Sequence, residues 1–417
     1  MKTLFTSAKT GVCLSAFLSI SVSSGESVAG SVDTAPMSDK PVSAAPWQRY
    51  DDWPDKSWDK FNTLAAVVND KVGTLPEVTY PITGDAAKGK ELAFDRKRGG
   101  SCAACHIMGS ETPELPGNVG PDLSTIGNGE RTDQHLFTYI YEPRLINPAS
   151  VMPPWGSHAL FTVEEIKDIV AFLKTLNKPM VFANEHDNPA KRQTPVESRD
   201  NLDPIENPAM AAMEQGEALF KSKGANGKSC ISCHTKPKNR FKKWAAGMPT
   251  YSNKLKKVIG VEEFVARHAM ATTGDNYLMQ SEQNISLSIY LRYLANGTPI
   301  AVKAEGKEAG AAAARGEDLS KRKIGQLNFA CVDCHQLAAN HWIRGQWLGG
   351  SKGQTPHFPT WRTSKSEIWD IRKRFQWCNV AIRANELAPD AAEYGDIELY
   401  LTMQNNGLKL NVPGIRH

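Results

Sequence analysis

Apolar positions recur at helical spacing in three separate stretches of the chain: residues 164–176, 284–294 and 393–403. Each carries a matching stripe, Val170-Ala171-Phe172-Leu173, Ile289-Tyr290-Leu291 and Leu399-Tyr400-Leu401, with polar residues between. That period predicts three amphipathic helices, each burying one face. Some 73 to 83 residues upstream of each stripe stands a short signature, Gly-x-x-Leu, at Gly89 to Leu92, Gly216 to Leu219 and Gly316 to Leu319. The chain therefore reads as one plan used three times: an opening helix, a loop-rich middle and a closing helix. The expected class is mainly α and loop-rich.

The stretches between these repeats set the boundaries. Residues 79–178, 209–297 and 315–417 are the expected modules. Residues 179–208 are rich in Pro, Asn and Asp and read as a linker. Residues 298–314 hold Gly and an Ala run, and read as a spacer or a helix start. Residues 30–78 form an extension in which Trp47, Trp53 and Trp58 suggest docking onto the body. Residues 1–29 read as a secretory signal: Lys2 and Lys9 precede an apolar or small run from 12 to 22, and Ser27-Val28-Ala29 resembles a cleavage site. Export to the periplasm follows from that reading. No internal run approaches the roughly 18 apolar residues of a membrane span.

A net charge of +4 is too small to argue for nucleic acid. The distribution is more informative. Between Glu214 and Lys257 stand eleven Lys or Arg, with Glu214 and Glu217 as the acids. Arg362, Lys365, Arg372, Lys373 and Arg374 make a second basic stretch. Such runs are solvated faces or steering surfaces for an anion or an acidic partner.

The cysteines carry the chemistry. Of eight, six fall in three Cys-x-x-Cys-His motifs: Cys102-Ala103-Ala104-Cys105-His106, Cys230-Ile231-Ser232-Cys233-His234 and Cys331-Val332-Asp333-Cys334-His335. Two thiols bond a haem edge and the adjacent His meets the iron, so this pattern reads as c-type haem attachment. One motif could be chance; three point to three haem modules. Cys13 lies in the signal, which leaves Cys378 outside any motif.

Each iron needs a group on its far face. In the first module Met152 stands in a Met-Pro-Pro loop, while Met108 is too near its own motif to cross the haem. The second and third modules align through Gly247-Met248-Pro249-Thr250-Tyr251 and His357-Phe358-Pro359-Thr360-Trp361. In that register Cys378 corresponds to His268, and each lies 23 residues before its closing-helix Leu, Leu401 and Leu291. His268 is thus the expected second ligand of the middle haem, with Met270 as rival, and Cys378 that of the last. A buried structural thiol or an intermolecular disulfide are the other readings of Cys378. Arg374, one turn away on a helix, would hold a thiolate or bind an anion.

At this point residues 84–178 resemble the monohaem SoxX subunit, through Gly-Asn-Val-Gly-Pro-Asp-Leu at 117–123, Ile-Asn-Pro at 146–148 and Met-Pro-Pro-Trp-Gly at 152–156. Residues 209–416 resemble the dihaem SoxA subunit, through the segment 327–335, Arg344-Gly345-Gln346, Arg374-Phe375-Gln376-Trp377-Cys378-Asn379 and Pro413-Gly414-Ile415-Arg416. The resemblance is to a SoxX–SoxA fusion. It implies a transferase that joins thiosulfate oxidatively to a cysteine of a SoxYZ-type carrier protein and passes electrons to a small c-type cytochrome. It implies a persulfide at Cys378, with Arg374 and Arg344 holding the substrate. The family pattern also offers a Cys where this chain has His268. Two rivals stand beside it: a tetrathionate-forming thiosulfate dehydrogenase, which needs no carrier, and an electron relay, which needs no reactive thiol.

Overall fold

The first unit runs from α1 (Ala86–Phe94) through α2 (Asp133–Tyr141) to α3 (Val163–Leu173). The structure is a computed structural model that describes residues 31–43, 58–68, 71–97, 100–129, 131–195 and 200–416. The expected signal, Trp47 and Trp53 lie outside them. The middle unit holds α4 (Met210–Lys221), α5 (Cys230–Cys233), α6 (Pro237–Ala246), the hairpin β1 (Thr250–Ser252) and β2 (Lys257–Ile259), α7 (Val261–Thr272) and α8 (Glu282–Tyr293). The last unit holds α9 (Lys307–Lys321), β3 (Trp342–Ile343), β4 (Gln346–Trp347), β5 (Thr360–Arg362), β6 (Glu367–Trp369), α10 (Ile371–Ala381), α11 (Ala392–Met403) and β7 (Gly414–Arg416).

The three predicted closing helices are α3, α8 and α11, and the Gly-x-x-Leu signatures lie on α1, α4 and α9. Local sequence starts them where expected. Asp85 caps α1 by accepting from the backbone N–H of Ala87 and Lys88, and Thr162 with Glu165 forms a capping box on α3. Ser281 caps α8. The run 298–314 is part spacer and part helix, because α9 begins at Lys307.

Opening and closing helices cross at the signature glycines. A Cβ on Gly89 would stand 1.9 Å from the Asp168 carbonyl oxygen. On Gly216 it would stand 2.0 Å from that of Ser286, and on Gly316 2.0 Å from that of Asp396. Backbone meets backbone at each crossing, and only a residue without a side chain permits it.

The middle and last units also share a hairpin register. Thr250 pairs with Ile259 in β1–β2, and Thr360 with Trp369 in β5–β6. Parallel pairing of β5 with β7 brings the C-terminal Arg416 opposite Arg362.

Buried charges join these two units. Across the seam Arg372 lies 3.8 Å from Glu263 and Arg292 lies 3.8 Å from Glu398, while Arg372 also donates to Glu398 at 2.8 Å within the last unit. Burial pushes the Glu262 and Glu398 carboxyls above their ordinary range, with the arginines opposing. The first and last units meet through reciprocal contacts: His158 Nδ1 lies 2.8 Å from the Gln326 carbonyl oxygen, while the Gln326 amide donates to the His158 carbonyl at 2.9 Å.

The segment read as a linker is anchored to the first and last units through Arg192. Arg192 donates to the carbonyls of His186, Arg344, Pro116 and Asp187, and its guanidinium lies 4.7 Å over the Trp342 ring. The extension is docked too. The Trp58 N–H donates to Asn385, and Gly325 donates to the Asn62 carbonyl.

One helix tests the crossing. Gly316→Ala should cost about 1–3 kcal/mol of stability, the usual range for forcing volume into a packed site. Gly310, also on α9, would place a Cβ 3.9 Å from the Ala304 carbonyl oxygen, an ordinary contact. Gly310→Ala should therefore stabilise by about 0.5–1 kcal/mol. Urea unfolding of the two variants should move the midpoint in opposite directions.

Candidate functional site

Each Cys-x-x-Cys-His sequence folds into one tight turn that brings its two thiols and its imidazole to the same side. Residues Cys102–Ala104 form a 3-10 turn, and the His106 N–H donates to the Cys102 carbonyl at 2.9 Å. In α5 the His234 N–H donates to the Cys230 carbonyl at the same distance, 2.9 Å. The last motif winds into a π turn over Asp333–Leu337. Its Asp333 accepts from the Ala330 N–H at 2.7 Å and from Lys323 at 2.9 Å.

The imidazoles are oriented by carbonyls. His106 Nδ1 lies 2.8 Å from the Pro121 carbonyl oxygen, and His335 Nδ1 lies 2.9 Å from that of Gly349. Burial pushes both rings below the ordinary histidine pKa. A neutral ring with Nδ1 so engaged leaves Nε2 to face a metal. Gly120 makes the first arrangement possible, since a Cβ there would stand 2.2 Å from the His106 ring.

The first and last motifs open into one cavity of about 1090 Å³. Its lining includes Cys102, Cys105, His106 and Met152 from one side, and Cys331, Cys334, His335 and Cys378 from the other. Much of the rest of the wall is apolar, with Leu123, Ile140, Trp155, Phe329 and Phe375 among its side chains. Thiol pairs, facing sulfurs and apolar walls fit a large flat cofactor bonded at its edge.

The two halves are close. The Cys331 and Cys334 thiols are pushed up to about 12, first by burial and then by the neighbouring Cys378; Cys105 contributes at Cys334. Cys378 is half-buried on α10.

The middle motif differs. The His234 and His268 rings face one another with centroids 5.9 Å apart, spacing for a single metal atom between their nitrogens. His268 Nδ1 lies 2.8 Å from the Pro36 carbonyl oxygen, and Phe264 stacks on its other side at 5.0 Å. Burial, with His268 alongside, pushes the His234 pKa down to about 4. Met270 faces Ser38, whose hydroxyl donates to the Met270 sulfur at 3.1 Å. Cys233 is the exposed member of the motif cysteines.

Arginines gather at Cys378. The Arg374 guanidinium lies 4.8 Å over the Trp377 ring, and its buried Nη1 has no hydrogen-bond partner among the described residues. The buried Nε of Arg362 is likewise without one. Burial, then the positive Arg374, push the Arg362 pKa down to about 9, with Cys378 opposing. Arg416 completes the group while pairing with Asp200. Arg362 is buried and Arg374 half-buried, and each keeps an unused buried donor atom beside the thiol, an arrangement suited to an anion.

The sequence alone did not single out Arg362 or Arg416 for this site; their signal lay in the basic stretch and the C-terminal Pro-Gly-Ile-Arg. Arg344, grouped with Cys378 by sequence, has other neighbours. Its N–H donates to the Ala104 carbonyl at 3.0 Å and its side chain to Ser101 at 3.2 Å. It therefore stands against the first motif, beside Cys105.

Helix pairs closed over Cys-x-x-Cys-His turns define c-type cytochrome domains, which bind haem covalently. The family described as SoxA/TsdA, cytochrome c domain, matches residues 215–300, and that described as cytochrome C oxidase, cbb3-type, subunit III, matches 84–173. Among curated relatives, the L-cysteine S-thiosulfotransferase subunit SoxA of Chlorobaculum tepidum is 33% identical over 49% of this chain and 70% of its own. The subunit of the same name from Allochromatium vinosum is 31% identical over 57% of this chain and 84% of its own. A solved structure of SoxXA from P. pantotrophus is 27% identical, covers 51% of this chain and 80% of that one, and has a TM-score of 0.48. The chain belongs to the SoxA family.

Gly120→Ala should force the His106 ring out of position. The haem-loaded protein should then show a high-spin haem absorption or lose one haem from its intact mass, while the other motifs stay loaded. Normal spectra and mass would show that the ring has room to shift.

Proposed function

We propose that the chain is an exported, periplasmic three-haem enzyme that joins thiosulfate to a cysteine of a SoxYZ-type carrier. The observation that carries this is the pairing of Cys378 with buried Arg362 and half-buried Arg374, each holding an unused donor atom, at a Cys-x-x-Cys-His motif of a SoxA-family chain. Cys102 with Cys105, Cys230 with Cys233, and Cys331 with Cys334 would hold the haems. His106 with Met152, His234 with His268, and His335 with Cys378 would be the axial pairs.

When bound, haem takes up and passes on single electrons at a potential set by its axial ligands. The protein's own groups supply the rest. Arg362 and Arg374 hold the thiosulfate dianion by charge-assisted hydrogen bonds and offset the charge of an anionic sulfur beside them. Cys378, or an outer persulfide sulfur on it, is the group that meets the substrate. Overall, one S–S bond forms between the thiosulfate sulfane sulfur and the carrier sulfur. The carrier thiol loses a proton, and two electrons leave. The approach of Cys105 to Cys334 supports an exit from the last unit through the first, toward a small c-type cytochrome.

The SoxA/TsdA description of the matched domain keeps a second reading: two thiosulfates joined as tetrathionate, with the same two electrons released. Turnover that requires the carrier supports the transferase; equal turnover without it supports the dehydrogenase.

Cys378→Ser should keep three haems by intact mass and lose carrier-linked thiosulfate oxidation. Near-normal turnover with purified carrier would remove Cys378 from the reaction. Arg362→Gln should remove a charge-assisted contact of about 1.5–3 kcal/mol, a loss of roughly 10–100-fold in kcat/KM for thiosulfate. Unchanged kinetics would place the substrate elsewhere.

A further inference from the structure

The segment 31–43 lies outside all three helix-pair units, yet it is bound tightly to the middle one. Val32 and Met37 are buried in the middle unit's core. The Asp33 carboxylate accepts from Ser252 at 2.7 Å, Asn253 at 3.1 Å and the Lys254 N–H at 3.2 Å. The Ser38 N–H donates to the Arg267 carbonyl at 3.1 Å, and Arg267 donates back to the Ser38 carbonyl at 3.0 Å. Further on, the Met279 N–H donates to the Val42 carbonyl at 2.7 Å. Between these anchors the strap touches both ligand candidates on α7: the Pro36 carbonyl meets His268 Nδ1, and the Ser38 hydroxyl meets the Met270 sulfur.

We propose that this strap selects and holds the second ligand of the middle haem, presenting His268 and keeping Met270 away. The inference rests on His268 being that ligand. The chemistry is direct. A carbonyl accepting from Nδ1–H fixes the tautomer, aims Nε2 and makes it a better donor to a metal. A sulfur accepting a hydroxyl hydrogen on the strap side is held off the opposite face. His268 and Met270 are two residues apart on α7, and the strap meets one through Pro36 and the other through Ser38. The strap is thus a positioning element for a ligand that the unit's own loops do not orient.

The test uses the full three-haem chain with residues 31–43 excised, and separately the Asp33→Asn, Ser38→Ala double variant. Haem-selective spectra, the middle haem's reduction potential and the rate of imidazole entry are read. Loss of the Nδ1 bond should speed imidazole entry roughly tenfold, the low end of what outer-shell partners are worth to a metal ligand. It should also bring up a new sulfur–iron charge-transfer band that a further Met270→Leu removes. Excised protein with the original entry rate, potential and band pattern overturns the proposal. If excision prevents haem loading, the double variant decides by the same readings. His268→Ala in the intact chain separates the two claims. A middle haem left unchanged by it overturns the ligand reading and the strap together. A middle haem opened by it, with silent strap variants, overturns the strap alone.

Discussion

Backbone contact between the first and last helix of each unit governs what the remaining chain can do. At Gly89, Gly216 and Gly316 a single methyl group would sit about 2 Å from a carbonyl oxygen of the partner helix. Helices this close share little side-chain volume, so they cannot enclose a core by themselves. The connecting segments must build a cavity, and apolar residues from loops must wall it. This explains why the cavity between the first and last motifs is ringed by cysteines, imidazoles and apolar side chains. The fold leaves space that a covalently held cofactor fills.

The units are held to one another by a different kind of interaction. Between the middle and last units lie Glu262, Glu263, Arg292, Arg372 and Glu398, all nearly fully buried. Such a network adds little net stability compared with an apolar seam, but each charge removed leaves another unpaired. Its effect is to fix relative position. Glu262 and Glu263 are on α7 with His268, and Arg372 is on α10 with Cys378, so the network holds these two helices in one frame. Between the first and last units, His158 with Gln326 and the Arg192 fork do the same for the shared cavity.

The helix pairs were legible because their signals are local: a period near 3.6 and a glycine at a fixed offset. The correspondence of His268 with Cys378 was legible because two units repeat one register, and the structure places both on equivalent helices. Other features come from contacts across long sequence separations. Arg362 and Arg416 become neighbours only through the parallel pairing of β5 with β7. Arg344 reaches the first motif because the β3–β4 hairpin is laid against a different unit. The expected linker carries Arg192, whose four carbonyl partners come from three places in the chain. No periodicity within a segment reports such meetings.

The repeat also shows how one scaffold gives two unlike sites. The helices α7 and α10 begin after equivalent hairpins and carry their sulfur or nitrogen at the same step. At α7 the Pro36 carbonyl accepts from His268, the Phe264 ring stacks on it, and the His234 ring lies across from it. At α10 the corresponding position faces the wide cavity shared with the first unit, and guanidiniums line its approach. A buried arginine with an unused donor is costly to keep unless an anion comes to it. That cost falls beside Cys378, where Arg362 is buried and Arg374 half-buried, each with an unused buried donor atom. Under the proposed function, the middle unit keeps a ligand in place and the last admits a charged substrate beside one. Placing chemistry at Cys378 follows from this difference in surroundings as much as from the identity of the residue.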